Sequence, residues 1–266
     1  MSIIGSISQG NQAQNSLQTT LARLASAKRL NSAADGAAEL AIGNGLQIES
    51  DSLSQSMRNI NDGIAMVQTA DSGAAQISDN LSRMRELAMQ SSNGTLNAND
   101  RAALQAEYSE LASEVDRITG STDFNGTNLL DGSTGSVDIQ VGEDGSASSR
   151  VAVGGGDLGT AALGLGGSDI STQAGAQAAL GDIDDALSQV NNQRSRFGAS
   201  VNALESSYRN ADARRQAAAG AASNILDTDY AEESANLARD QILSSVDTAV
   251  RAQANKLQAI TASLIG

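Results

Sequence analysis

The chain has 266 residues, a formal net charge of −14, no proline, cysteine, histidine or tryptophan, and only five tyrosines and phenylalanines together. Without histidine or cysteine there is no nucleophile–imidazole pair, no zinc site of the ordinary type and no disulfide, which leaves only carboxylate chemistry formally open. A pI near 4.3 argues against nucleic acid or an anionic membrane as partner.

With so few aromatics, the core must come from Ala, Leu, Ile and Val, which suits helices that approach closely. Without proline, helices can run for roughly 40–50 residues with no forced kink. Residues 6–30 form the first predicted helix, with Leu17, Leu21 and Leu24 on one thin apolar face. Asn31, Ser32 and Asp35 are capping residue types, and a break is expected there. A long helix is predicted over 41–93, because Leu53, Ile60, Val67, Ala74, Leu81 and Ala88 recur every seven residues. Gly63 and Gly73 lie inside it at a cost of roughly 1 kcal/mol each, so close contact with another helix is expected to compensate. Asn93-Gly94 reads as a turn and Asn97 or Asn99 as the next N-cap. Leu104, Tyr108, Leu111, Val115 and Ile118 then mark a shorter helix over 100–119, antiparallel to its predecessor.

The character changes between 120 and 181, which hold 15 of the 26 glycines. Residues 136–141 alternate like a half-buried strand and 150–153 are a candidate partner, so a small hairpin is predicted. A third long helix is predicted over 172–222, with Leu180, Ile183, Leu187, Val190, Phe197, Val201, Leu204, Tyr208 and Ala211 in its stripe. Arg194 fills the skipped slot and reads as an ion-paired or snorkelling seam residue that sets register. Asp227, Thr228 and Asp229 are candidate caps for the last helix, 230–264, whose stripe is Val246, Val250, Gln253, Leu257, Ile260 and Leu264.

The remaining motifs are weak. Asp182, Asp184 and Asp185 read as complements to a helix N-terminus rather than a cation site. GGGDLG at 154–159 lacks the Gly-Lys-Ser/Thr ending of a phosphate loop. The Asn-x-Ser/Thr matches at 80, 93 and 125 have no secretory context. The opening MSIIGSISQG lacks a positive n-region, and no apolar run reaches the roughly 18 residues of a membrane span. The last stripe carries only Arg251 and Lys256, so it suits a partner helix better than a membrane surface.

Three N-terminal blocks resemble bacterial flagellins: RLASAKRLNSAADGAAELAI (23–42), NINDGIAMVQTADSGAAQISDNLSRMRELAMQSSNGT (59–95) and EVDRITGSTDFNGTNLLDG (114–132). So do VNNQRSRFGASVNALE (190–205) and NILDTDYAEESANLARDQILSSVDTAVRAQANKLQAI (224–260). The resemblance implies termini paired in a coiled coil that lines a filament's inner tube, with adjoining helices and a β-hairpin outside it. It implies export through the flagellar type III apparatus rather than by a cleaved signal, and a chaperone on the C-terminal helix. Only about 50 residues separate the two halves, so outer variable domains are not expected; a protease insertion of the HExxH type is excluded by the missing histidine. Members sensed by a Toll-like innate immune receptor use an Arg, a Leu and a Glu that match Arg83, Leu87 and Glu107, although Ser82 stands where such members often have Gln.

The expected fold is mainly α: a long antiparallel helical bundle or coiled coil with paired N- and C-termini, plus one small β-hairpin region at about 120–171. The expected domains are 1–42 with 224–266, the inner tube, and 43–223, the helical rod. The expected function is a non-catalytic subunit that polymerises into the flagellar filament, located extracellularly on the flagellum; the alternative is the hook–filament junction protein. Subunit packing is assigned to Leu17, Leu21, Leu24, Val246, Val250, Leu257, Ile260 and Leu264. Expected partners are other copies of the chain, an export chaperone, and the flagellar cap and hook-junction proteins, with the immune receptor as a further candidate. No cofactor, nucleic acid or membrane insertion is expected.

Overall fold

The computed structural model describes the backbone of residues 2–265 and the side chains of 11–257, 259 and 260. Five helices dominate: α1 (Ser2–Ser26), α2 (Ala33–Ser91), α3 (Ala98–Ser121), α4 (Gln173–Leu226) and α5 (Tyr230–Ile265). Two antiparallel strand pairs lie between α3 and α4: β1 (Asp123–Phe124) with β2 (Thr127–Asn128), and β3 (Ser136–Gln140) with β4 (Arg150–Gly154). The chain divides into two compact units, residues 51–215 and residues 1–50 with 216–266. The long helices α2 and α4 contribute to both.

In the unit formed by 51–215, the seven-residue repeat is the core. Leu53, Ile60, Val67, Ala74, Leu81 and Ala88 are all buried. From α4, Ile183, Val190, Phe197, Leu204 and Ala211 are buried, and Leu180, Leu187, Val201 and Tyr208 pack beside them. Charged pairs fix the pairing: Arg85 meets Asp184 at 2.7 Å and Asp71 meets Arg194 at 2.8 Å, so α2 and α4 are antiparallel. Arg194 thus fills its seam slot as the ion-paired residue its position predicts. Asp184, however, lies well inside α4, whose first turn carries no acidic residue, so the aspartate cluster does not serve a helix N-terminus. The hydrogen bond from Arg85 holds the Asp184 carboxyl below its ordinary range.

Asn97 is the N-cap of α3, with its side chain accepting from the amides of Asn99 and Asp100 and Asp100 reaching back to complete a capping box. The α2–α3 corner is held by one guanidinium. Arg101 donates to the carbonyls of Ser91, Asn93 and Leu96 at 2.8–2.9 Å, satisfying acceptors that a helix end leaves open.

Gly63 and Gly73 do not face another helix, contrary to expectation. A β-carbon at 63 would sit 3.0 Å from Ile139 of β3, and one at 73 would sit 2.7 Å from Thr122 and 2.9 Å from Leu130. The hairpin and the segment after α3 therefore occupy these gaps. Gly155 of the 154–159 run likewise abuts backbone, since a β-carbon there would lie 2.3 Å from the Thr134 carbonyl oxygen. The second hairpin, β1–β2, turns through Asn125 and Gly126, both at positive φ, the geometry that Asn-Gly favours in a two-residue turn.

In the other unit, α1 and α5 pack together antiparallel: Thr20 donates to Asp240 at 3.1 Å and Arg23 lies 3.7 Å from Glu233. The links that feed them also pair. Arg29 N–H donates to the Leu226 carbonyl at 2.7 Å, Thr228 N–H to that of Ala27 at 3.1 Å, and Lys28 and Asp227 form an isolated bridge. Asp35 accepts from the amides of Asn31 and Ser32 and from the Ser32 hydroxyl, which closes the turn into α2 and lowers its carboxyl pKa. Asp229 accepts from the amides of Ala231 and Glu232 and caps α5. The first helix ends at Ser26, short of its predicted end, and Leu30 is instead buried with Ala222 and Leu226 in a small cluster.

Candidate assembly surface

The two units differ in how much apolar surface they cover. Among the described residues, 51–215 contain 29 of the 33 buried hydrophobic residues; the other unit contains four, Leu30, Ala218, Ala222 and Leu226. The exposed side is reversed. Of eleven large hydrophobic residues left exposed among the described residues, ten lie in the unit of 1–50 and 216–266, and only Met89 lies elsewhere.

Helix α5 carries most of that surface. Its less exposed positions include Ser234 and Asn236 in the first turns and a run of Glu233, Leu237, Asp240, Ser244, Asp247, Arg251 and Ala254 that is spaced alternately by four and three. This is the face hydrogen-bonded to α1 through Asp240, and it is mostly polar or small. The apolar stripe lies about 100° further round, one residue away in sequence. Ile242, Leu243, Val246, Val250, Leu257 and Ile260 are each 50–62 % exposed. The periodicity was real, but the seam with α1 uses the neighbouring stripe. On α1 the expected residues divide: Leu17 and Leu24 are half-buried, and Leu21 is exposed. Gln12, Ala13 and Ser16 of α1 line an open groove of about 590 Å³ with Leu243, Val246, Asp247 and Val250 of α5. The Leu264 side chain falls outside the described residues.

Three further exposed apolar residues lie in the same unit, and one of them, Ile42, is read from sequence as part of the buried stripe of the long helix. Ile42 and Ile48 on the first part of α2 and Tyr230 at the start of α5 are 57–69 % exposed. Ile42 and Ile48 sit in a segment whose stripe is otherwise read as core, and Tyr230 sits at a cap.

On the other unit, Arg83 and Glu107 come together at 2.7 Å across α2 and α3, and both are about half exposed. The Glu107 hydrogen bond raises the Arg83 pKa, with Glu86 at 2.9 Å adding to it. Leu87, the third residue of that set, is 1 % exposed and belongs to the core. No group of three or more acidic, histidine or cysteine side chains that could hold a metal occurs among the described residues. No helix among them is long and apolar enough to cross a membrane.

Residues 5–135 match the family model for the bacterial flagellin N-terminal helical region, and residues 180–264 match that for the C-terminal helical region. A flagellin of Halalkalibacterium halodurans is 37 % identical over 242 residues, covering 91 % of this chain and 89 % of that protein. A flagellar filament core protein of Brachyspira hyodysenteriae is 36 % identical over 254 residues, covering 91 % and 89 %. Among solved structures, the Bacillus cereus flagellin superposes with a TM-score of 0.53 at 31 % identity, over 58 % of this chain and 88 % of that one. A putative flagellar hook-associated protein of Vibrio parahaemolyticus shares the fold, with a TM-score of 0.60 at 16 % identity over 73 % of this chain and all of that one.

Proposed function

The chain belongs to the bacterial flagellin family, and from that membership we propose that it is a structural subunit that polymerises into the flagellar filament. The observation that carries the mechanism is the outward apolar stripe of α5. A helix pair whose mutual seam is mostly polar or small, and which leaves the aliphatic stripe of α5 half exposed along the edge of its groove with α1, is completed by further copies. Covering a half-exposed aliphatic side chain is worth roughly 1 kcal/mol, so six of them repeated along a polymer favour assembly strongly. The family is one of structural proteins, and no catalytic role is assigned to this chain.

The test is polymerisation of purified protein followed by electron microscopy. Val246→Asp with Val250→Asp, or Leu257→Asp with Ile260→Asp, should abolish filaments and leave helical content unchanged. Filaments of ordinary length from both double variants would overturn the mechanism. The hook–filament junction reading is not favoured: the similarity to a hook-associated protein is one of fold alone, whereas the close relatives are flagellins and filament core proteins.

Before assembly the same stripe needs cover. We assign it to an export chaperone on α5, with secretion by the flagellar route and later contact with the cap and junction proteins. Recognition by a Toll-like receptor is supported at Arg83 and Glu107, which are exposed and paired; the burial of Leu87 limits it to those two. A receptor-reporter assay with depolymerised protein and with Arg83→Ala decides it: no signal from the parent protein ends the proposal.

A further inference from the structure

Asparagine precedes glycine at Asn44, Asn93 and Asn125, and the fold treats the three pairs differently. In this dipeptide the backbone nitrogen of the second residue can attack the asparagine side-chain carbonyl carbon, because glycine has no β-carbon to obstruct the approach. Asn44 and Gly45 lie within α2, where backbone N–H groups are held in the helical ladder. Gly126 N–H donates to Asp123 Oδ2 at 3.1 Å, and Asn125 is held at φ 52° in the hairpin turn.

Gly94 has neither restraint. It lies in the exposed corner between α2 and α3, and its N–H makes no hydrogen bond among the described residues. The electrophile beside it is polarised, since Thr95 N–H donates to Asn93 Oδ1 at 3.2 Å. The corner is also held in place. The Asn93 carbonyl accepts from Leu96 N–H at 3.3 Å and from Arg101 Nη2 at 2.8 Å.

We propose that Asn93 is a spontaneous deamidation site, favoured by the fold over the other two. The Gly94 nitrogen gives its proton to solvent base and bonds to Asn93 Cγ. The Cγ–Nδ2 bond breaks and ammonia leaves, closing a succinimide. Water then adds to either ring carbonyl, giving an aspartyl or an isoaspartyl residue at 93. No oxidant or cofactor enters. The product places a carboxylate beyond the C-terminus of α2, where the helix dipole disfavours it. The isoaspartyl form lengthens the backbone inside the loop whose carbonyls Arg101 holds. The α2–α3 corner therefore changes charge and shape as the protein ages.

The test is peptide mass mapping of the full-length protein held in mildly alkaline buffer, native and in urea. In urea all three sites should convert at similar rates. In the native state Asn93 should convert at least about tenfold faster than Asn44 and Asn125, because opening a helix interior or a paired turn is rare. Isoaspartyl methyltransferase should label the peptide that contains residue 93. Equal native rates, or Asn125 ahead of Asn93, would overturn the proposal. Gly94→Ala supplies the second check: φ at 94 is not in the left-handed region, and the added carbon meets only Gln173 at 3.6 Å. Conversion at 93 should fall several-fold in that variant with Asn125 unchanged; an undiminished rate at 93 also overturns it.

Discussion

Asp71 of α2 and Arg194 of α4 meet at 2.8 Å in the one position where the α4 stripe omits an apolar residue. The pair replaces a core contact with a directional one, and only one register of α2 against α4 brings the two side chains together. Both are 38–40 % exposed, so the energetic gain is modest and the specificity gain larger.

Arg194→Ala and Asp71→Ala should each lower stability only slightly, with a double-mutant coupling of about 0.5–1 kcal/mol. Urea unfolding of the four proteins measures it. A coupling near zero would reduce the pair to an incidental surface contact.

Glycine substitutions should divide by neighbour. Gly73→Ala drives a β-carbon into Thr122 and Leu130 and should cost about 1–3 kcal/mol. Gly198→Ala meets nothing within 4 Å inside α4 and should stabilise by about 0.5–1 kcal/mol. Thermal melts of the two variants should move in opposite directions.

Acid should weaken the unit of 51–215. The carboxyls of Asp184, Glu114, Asp131, Asp144 and Asp169 are all held below their ordinary range, Asp184 and Glu114 by arginine and the others mainly by serine hydrogen-bond donors. A lowered folded-state pKa means a contribution fully present above the unfolded range of about pH 4, and lost as pH falls through the folded values. The urea midpoint should therefore drop below about pH 4, and Arg85→Met should flatten part of that slope. A parallel profile in the variant would remove Asp184 from the account.

Residues 1–40 and 226–266 should be cut by protease in the monomer before any site in 51–215, and protected in the polymer. Among the described residues, the unit of 1–50 and 216–266 buries four hydrophobic residues against 29 in the other, so its local opening is the cheaper one. Limited proteolysis with mass mapping reads this directly; equal protection in both states would contradict it.

Sequence alone determined the helices, their order and the core of the larger unit. A seven-residue repeat of Leu53 to Ala88 has one apolar face, and burying that face is the dominant favourable term, so its orientation had no alternative. Caps were legible as short sets, Asn97 or Asn99 and Asp227 to Asp229, because helix ends leave amides that only a nearby oxygen can satisfy, and the structure selects Asn97 and Asp229. Tertiary structure decided what those rules leave degenerate. A β-carbon vacancy at Gly73 accepts a helix or a loop equally well, and the loop at Thr122 and Leu130 takes it. A thin stripe on α5 can face its own chain or another. Here Asp240 on the adjacent face takes the hydrogen bond from Thr20 of α1, the stripe stays half exposed at the edge of the groove with α1, and the terminal pair is left dependent on neighbours.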